Sequence, residues 1–346
     1  MKRLRTAVVG LGRIGWQYHI PAIRRHKGFE LIAVVDPLRE RLMEAGAQFD
    51  VQTYQSLERL FAAGGLDLLV VASPTEFHAE QTLQGFENGC DVFCEKPLAG
   101  SMVEASAMID AMERTGRKLM VYQPHRAGSD ILALQDLLRR DLIGTVYMMK
   151  RAWSGFDRRT DWQAFRKHGG GMLNNYGAHM IDQLLYLSRS PVRRVSCSLR
   201  SVVTRGDADD VVKVVMETSN GMLLDLDITM AAAQALPAWH VLGSRGSAIL
   251  NEDEGCWRVR FFRDEEVVPP ALQQGLAAEQ RRYGSGETIP WREEIIPLSG
   301  FPPIDFYDRC YDLFALGKPS FVPIEETLEV MRVIDLCRED AERIDP

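Results

Sequence analysis

The chain has 346 residues with 41 Lys plus Arg against 48 Asp plus Glu, a formal net charge of −7. That length exceeds what one core usually fills, so two domains are the default, and the acidic balance with no basic stretch excludes nucleic acid as the main partner. No apolar run is long enough to span a bilayer, Met1-Lys2-Arg3 leads into a strand rather than a signal peptide, and Cys90, Cys94, Cys197, Cys256, Cys310 and Cys337 show no zinc spacing, which fits buried thiols of a cytosolic protein without a metal.

Leu4–Val9 reads as a buried strand and feeds Gly10-Leu11-Gly12-Arg13-Ile14-Gly15, a G-x-G-x-x-G turn that opens a helix pattern. Glycines there allow a tight turn, close approach to a pyrophosphate and close helix–sheet packing, while the helix start offers unpaired N–H groups to the anion. A second strand over 30–35 ends at Asp36, about twenty positions on, where a carboxylate can accept both ribose hydroxyls of an adenosine. Pro37-Leu38 places no cation directly beside it, and although Arg39 is close enough in sequence to blunt the effect, Asp36 favours NAD over NADP. Further strands at Leu66–Val71, Asp91–Cys94 and Leu119–Tyr122 alternate with helical stretches such as Pro37–Gln48, Glu76–Asn88 and Met102–Arg114. The alternation predicts an α/β dinucleotide-binding domain over 1–123, a doubly wound parallel sheet.

Glu95-Lys96-Pro97 closes the run Val92-Phe93-Cys94. Ligands of open parallel sheets collect outside the carboxyl ends of strands, so Lys96 is placed to point its ammonium into the crevice. After Gln123-Pro124 the texture changes, which predicts a second, α+β domain over 124–346. A helix at Ser129–Arg140 leads to Val146–Trp153, and a second helix lies near Gly171–Leu187. Val195–Val203, Val211–Glu217, Met222–Thr229, Trp239–Leu242 and Ala248–Asn251 are spaced as consecutive antiparallel hairpins of an open sheet. Glu254–Pro303, with Pro269-Pro270 and Gly284-Ser285-Gly286, reads as an arm rather than a core element. Asp305–Leu316 and Glu325–Glu342 have helical spacing, and these final helices are expected to pack back on the first domain.

The second chemical cluster is Gly169-Gly170-Gly171 followed by Asn174, Asn175, Gly177, His179 and Asp182. On a helix Asn175, His179 and Asp182 share one face, while Met180, Leu184 and Leu187 take another.

Together, Gly10-x-Gly12-x-x-Gly15, Ser73-Pro74-Thr75-x-x-His78, Glu95-Lys96-Pro97 and the Gly169–Asp182 segment resemble the glucose-fructose oxidoreductase / inositol dehydrogenase / rhizopine-catabolism (Gfo/Idh/MocA) family, and the likeness extends to 325–335. The resemblance implies a Rossmann domain, a C-terminal domain whose open sheet mediates a homodimer or homotetramer, and hydride transfer between a sugar or cyclitol carbon and a nicotinamide. It implies that Lys96 binds the reacting hydroxyl and that His179 exchanges its proton. Ser73, Pro74 and Thr75 would lie along the cofactor, with His78 in the next helix's first turn. The expected cofactor set is thus Gly10, Gly12, Arg13, Ile14, Gly15, Asp36, Ser73, Pro74, Thr75, His78, Glu95 and Lys96. One departure is Asn175, where the family often has aspartate: an amide orients by hydrogen bonds but supplies no charge to an imidazolium. Either His179 works with help from Lys96 or the proton chemistry is altered.

The chemistry stands on the residues as well. Oxidising a secondary alcohol needs a base for the hydroxyl proton and a cation for the developing alkoxide, roles open to His179 and Lys96. Gln123, His125, Arg126, Trp153, Trp162 and Asn174 are candidate contacts to substrate, although core packing would also explain the tryptophans and a structural salt bridge Arg126. The reading is an NAD-dependent oxidoreductase on a sugar, cyclitol or related polyol. A glycosidase using bound NAD for transient oxidation and elimination, and a non-catalytic nucleotide-sensing regulator, are the alternatives.

Overall fold

Strands β1 (Leu4–Val9), β2 (Phe29–Val35), β3 (Gln52–Tyr54), β4 (Leu68–Val71), β5 (Asp91–Cys94) and β6 (Leu119–Val121) pair in parallel in the order β3-β2-β1-β4-β5-β6. This is seen in a computed structural model that describes residues 3–268, 271–272 and 287–344. The order reverses between β1 and β4, which opens a crevice at their carboxyl ends. Every residue of β4 is buried, as expected of a strand with helices on both faces. Helices α1 (Ile20–Arg25), α2 (Arg39–Phe49), α3 (Leu57–Ala63), α4 (His78–Glu87) and α5 (Met102–Thr115) make the crossovers. The three-residue β3 and the short α3 are too brief to carry a readable period.

The second sheet has eight strands: β7 (Val146–Ser154), β8 (Val192–Arg200), β9 (Val211–Thr218), β10 (Leu223–Thr229), β11 (Trp239–Gly243), β12 (Gly246–Asn251), β13 (Cys256–Phe261) and β14 (Arg292–Pro297). Their order is β14-β13-β12-β11-β7-β10-β9-β8. Two expectations are corrected. β10 and β11 do not form a hairpin, because β7 lies between them, parallel to β10 and antiparallel to β11. The stretch 254–303 is not only an arm, since β13 and β14 extend the sheet and bury Trp257, Val259, Phe261 and Ile296. Exposed Arg258, Arg260 and Glu293 alternate with those apolar residues and hide the strand signal. Pro269-Pro270 and Gly284-Ser285-Gly286 lie outside the described residues.

One face of this sheet is covered by α6 (Ser129–Arg139), α7 (Ala178–Ser188) and α9 (Ile324–Ile344). Val212, Val214 and Met216 of β9 and Leu224, Leu226 and Ile228 of β10 are buried there, while Lys213, Val215, Asp225 and Asp227 alternate onto the other face. Helix α8 (Phe306–Phe314) returns to the first sheet, where Phe306, Tyr307, Cys310 and Phe314 join Val8 and Phe93. Helix α9 serves both cores, with Met331 in the first and Val330, Val333 and Ile334 in the second. All six cysteines are free and buried. Among the described residues, no helix is long and apolar enough to cross a membrane, and no cluster of His, Cys, Asp or Glu is arranged to hold a metal.

Arg126 is not in the crevice. It is fully buried, with Nε and Nη2 donating to the Asp182 carboxylate at 2.7 and 2.6 Å and Nη1 pairing with Glu326 of α9, and its guanidinium lies 4.7 Å over the Tyr186 ring. The substrate assignment is therefore replaced by a structural one, and Asp182 shares it. Arg126→Ala strands the Asp182 carboxylate and should cost about 3–5 kcal/mol, with Arg126→Met/Asp182→Leu recovering much of it. Thermal unfolding of the single and double variants checks this; a single variant as stable as the parent contradicts the assignment.

Candidate active site

The crevice begins at the glycine turn. Gly10 has φ +95°, and a Cβ there would lie 2.6 Å from the backbone of Ala72 and Ser73, while a Cβ on Gly15 would meet the Gly10 carbonyl at 2.0 Å. Those two glycines pack the turn against β4 and the helix start. Gly12 differs: a Cβ there would meet nothing within 4 Å, which leaves a cradle open for a ligand's phosphates, with the exposed Arg13 and half-buried Ile14 beside it. At the end of β2, Asp36 accepts the Leu11 and Leu38 N–H groups at 2.8 and 2.9 Å and the Arg41 guanidinium at 3.3 Å. The cation beside it is Arg41, in the first turn of α2, rather than Arg39. A carboxylate at the strand end, an open turn and a helix start fit an adenine dinucleotide.

Ser73 donates to Gln81, and Thr75 is buried under Gly169, whose φ of +70° brings the second domain's loop against it. The His78 ring nitrogens each lie 2.9 Å from a carbonyl, of Pro97 and of Ser73, and the ring is 1% exposed. His78 thus ties the Ser73-Pro74-Thr75 loop to the loop after Lys96, with no ring nitrogen left for a cofactor. The Glu95 carboxylate also turns inward: it accepts His19 Nε2 at 3.0 Å and the Lys96 N–H at 3.1 Å, and His19 Nδ1 lies 2.7 Å from the Tyr307 hydroxyl. This buried chain joins the glycine-turn helix, the Lys96 loop and α8.

Lys96 crosses to the second domain, where Nζ donates to the Asn175 carbonyl at 2.8 Å and to Asn175 Oδ1 at 3.2 Å. The chain over Leu173–Gly177 is wound as a π segment ahead of α7. Such windings free backbone carbonyls from the helix ladder and recur at functional sites. The Asn175 Nδ2 donates to Gln163 Oε1 at 3.1 Å, so the amide is held from both ends and makes no bond to His179. His179 Nδ1 lies 2.9 Å from Gln123 Oε1, while Gln123 Nε2 faces the Ala178 carbonyl at 3.4 Å. A flipped amide would set two oxygens against each other, so Nδ1 carries the proton and Nε2 is bare. The His125 ring stacks on His179 at 4.0 Å. Burial, then Lys96, His125 and Arg151, push the His179 imidazole well below its ordinary pKa; burial and the same cations push His125 down to about 4. Burial lowers Lys96 to about 8, with Arg13 and Arg159 assisting and Glu95 opposing.

Thus Lys96, Asn175, His179, Gln123 and His125 are brought together, with Gln123 on the imidazole rather than free. Asn174 is occupied, donating to the Gly169 carbonyl at 2.9 Å and accepting from Arg338 of α9 at 2.7 Å. Trp153 packs on Tyr176 at 4.5 Å, a wall of the site, and Trp162 stands 41% exposed at its rim. Gln163, Arg151 and Arg159 were missed. Arg151 alone had a signal, a charge on the inward parity of β7 beside Met149 and Trp153.

Residues 4–123 match the oxidoreductase family with an NAD-binding Rossmann fold, and residues 131–249 match the GFO/IDH/MocA C-terminal domain. The rhizopine catabolism protein MocA of Rhizobium meliloti is 30% identical over 226 residues, covering 64% of this chain and 69% of that protein. This chain belongs to the GFO/IDH/MocA oxidoreductase family. D-apiose dehydrogenase of Paraburkholderia graminis is 26% identical over 284 residues, 79% of this chain and 74% of that protein. Among solved structures, an NAD-binding protein from Listeria innocua superposes with a TM-score of 0.84 at 26% identity, over 99% of this chain and 96% of that one. The chain is thus an NAD-binding oxidoreductase of this family, with the family's two-domain α/β architecture.

Asp36 should set cofactor choice. NAD is expected to bind at least ~10-fold more tightly than NADP, and Asp36→Ala should narrow that ratio by removing the charge that repels a 2′-phosphate. Titrating both reduced cofactors by fluorescence decides it, and tighter NADP binding by the parent protein would refute the assignment.

Proposed function

We propose that this chain is a dehydrogenase that moves a hydride between NAD and a secondary carbon of a sugar, cyclitol or related polyol, in a site made by Lys96 and His179. The observation that carries the reading is the bare, neutral Nε2 of His179 near an ammonium whose only acceptors among the described residues are the two oxygens of Asn175. Bound NAD supplies the hydride acceptor. Gln123 holds the imidazole with Nε2 toward the crevice, where it takes the hydroxyl proton. Lys96 stabilises the developing alkoxide with its remaining N–H. The low affinity of His179 for protons makes the ring available as a base throughout the neutral range, and passing the proton onward restores it. Ser73, Thr75 and the glycine turn hold the dinucleotide, and Trp153 and Tyr176 wall the sugar. The homo-oligomer is also a proposal: the uncovered face of the second sheet exposes Val215, Ile249 and Ile295.

Lys96→Ala should cut turnover by at least ~10²-fold while leaving NAD affinity within about tenfold, as read from initial rates and cofactor titration. Unchanged turnover would favour a nucleotide-sensing role. For alcohol oxidation, kcat/KM should fall on the acid side only below the ordinary imidazole pKa of about 6.5, and on the alkaline side as Lys96 loses its proton near pH 8. Asn175→Asp sets a carboxylate against Lys96 and not against the imidazole. It should raise the Lys96 pKa and move the alkaline limb upward, with the acid limb little changed. An acid limb that moves upward instead would show that residue 175 acts on His179.

A further inference from the structure

Two cations of the crevice have no direct ion pair among the described residues; Glu95 acts on Lys96, and Asp130 and Glu252 on Arg151, only from beyond ion-pair distance. Lys96 donates only to the oxygens of Asn175. Arg151 donates to Gln183 Oε1 and to the carbonyls of Ala152 and Ala238, and its guanidinium lies 5.0 Å over the Trp239 ring. Gln183 in turn donates to the carbonyl of His125, so Arg151 stands behind the stacked imidazoles. Charges withdrawn from water are ordinarily paired, and the acids of this region are committed elsewhere. Glu95 serves His19, Asp182 serves Arg126, and Asp209 accepts the Leu173 N–H at 2.8 Å. At residue 175 it is an amide oxygen, and not a carboxylate, that meets Lys96. Oxidised nicotinamide is itself positive, so a bound cofactor sharpens the imbalance.

A third cation waits at the rim. Arg159 is held by Asp161 at 3.0 Å, and Asp161 also accepts the N–H of Gln163, the residue that fixes Asn175. The Asp161 side chain is 51% exposed against 21% for Arg159, so this pair is screened by water and readily exchanged.

We propose that the substrate is a polyhydroxy acid, an aldonate or uronate, whose carboxylate takes the place of Asp161 on Arg159 while the hydroxyl to be oxidised lies between Lys96 and His179. The proposal rests on the dehydrogenase reading above. The reaction balances as before: the C–H pair leaves as hydride to NAD, the O–H proton goes to His179, and the carbon becomes a ketone with the carboxylate unchanged. A guanidinium fork can take a carboxylate or a phosphate ester through two parallel bonds, but one cation neutralises only the carboxylate's single charge, so the carboxylate suits Arg159 better.

The test uses the full-length protein with saturating NAD and matched probes: D-gluconate against sorbitol, D-glucuronate and D-galacturonate against glucose and galactose, and glucose 6-phosphate. At least one acid should exceed its neutral partner in kcat/KM by about 10- to 100-fold, the scale of a charge-assisted hydrogen-bonded pair. Arg159→Gln should bring that ratio toward one, and Asp161→Asn, which keeps the cap on Gln163 but removes the competing charge, should raise it. Neutral sugars turned over as well as acids, or a preference for the phosphate ester, overturns the carboxylate assignment and leaves the dehydrogenase reading standing. Titration of the NADH-bound protein with the same probes, read by NADH fluorescence, separates the opposite failure. Arg159-dependent binding of acids without turnover of any probe upholds the carboxylate site and removes the dehydrogenase reading, while neither binding nor turnover overturns both.

Discussion

The contact on which the site depends is the hydrogen bond from Lys96 Nζ, at the end of β5, to the Asn175 carbonyl ahead of α7. Neither sheet alone can build the crevice, because the ammonium belongs to one and the imidazole to the other. The geometry of each partner is fixed from behind. Glu95 accepts the Lys96 N–H and is itself anchored by His19 and Tyr307, and Asn175 is braced by Gln163. Buried hydrogen-bond chains of this kind are costly when broken and rigid when complete. The atoms that meet a substrate are therefore preset.

The second domain reaches the first through backbone that only glycine permits. Gly169 and Gly171 have φ of +70° and +105°, and a Cβ on Gly170 would come within 2.3 Å of the Gln163 carbonyl. The three together fold the Trp162–His168 stretch against Thr75 and hold Asp209 under the helix start. Electrostatics then does the selecting. Burial first, and then positive charge from Lys96 and Arg151, keeps the two stacked imidazoles neutral, the form a base requires.

Much of this was legible in the chain. The glycine turn, the carboxylate at the end of β2 and Glu95-Lys96-Pro97 are local signals tied to a strand end, and a parallel sheet places strand ends together. The gathering of Lys96 and His179 followed from the family likeness, since 82 intervening positions separate them with no local constraint. What escaped was direction. The family likeness put His78 and Glu95 near the cofactor, and Arg126 was a candidate contact to substrate, without any sign that their polar atoms face inward to Pro97 and Ser73, to His19, and to Asp182. Strands β13 and β14 escaped because arginine and glutamate on an uncovered sheet face read like a loop. Gln163 carries no motif, and only tertiary packing sets it against Asn175.

The account turns on one protonation state, that of His179, and nitrogen NMR of selectively labelled histidine in the NADH-bound protein reads it directly. The ring should be neutral at pH 6 with the proton on Nδ1 and a bare Nε2, a state that Gln123→Ala should disturb while His78 keeps its own signal. An imidazolium at pH 6, or a proton on Nε2, would contradict the assignment of His179 as the base.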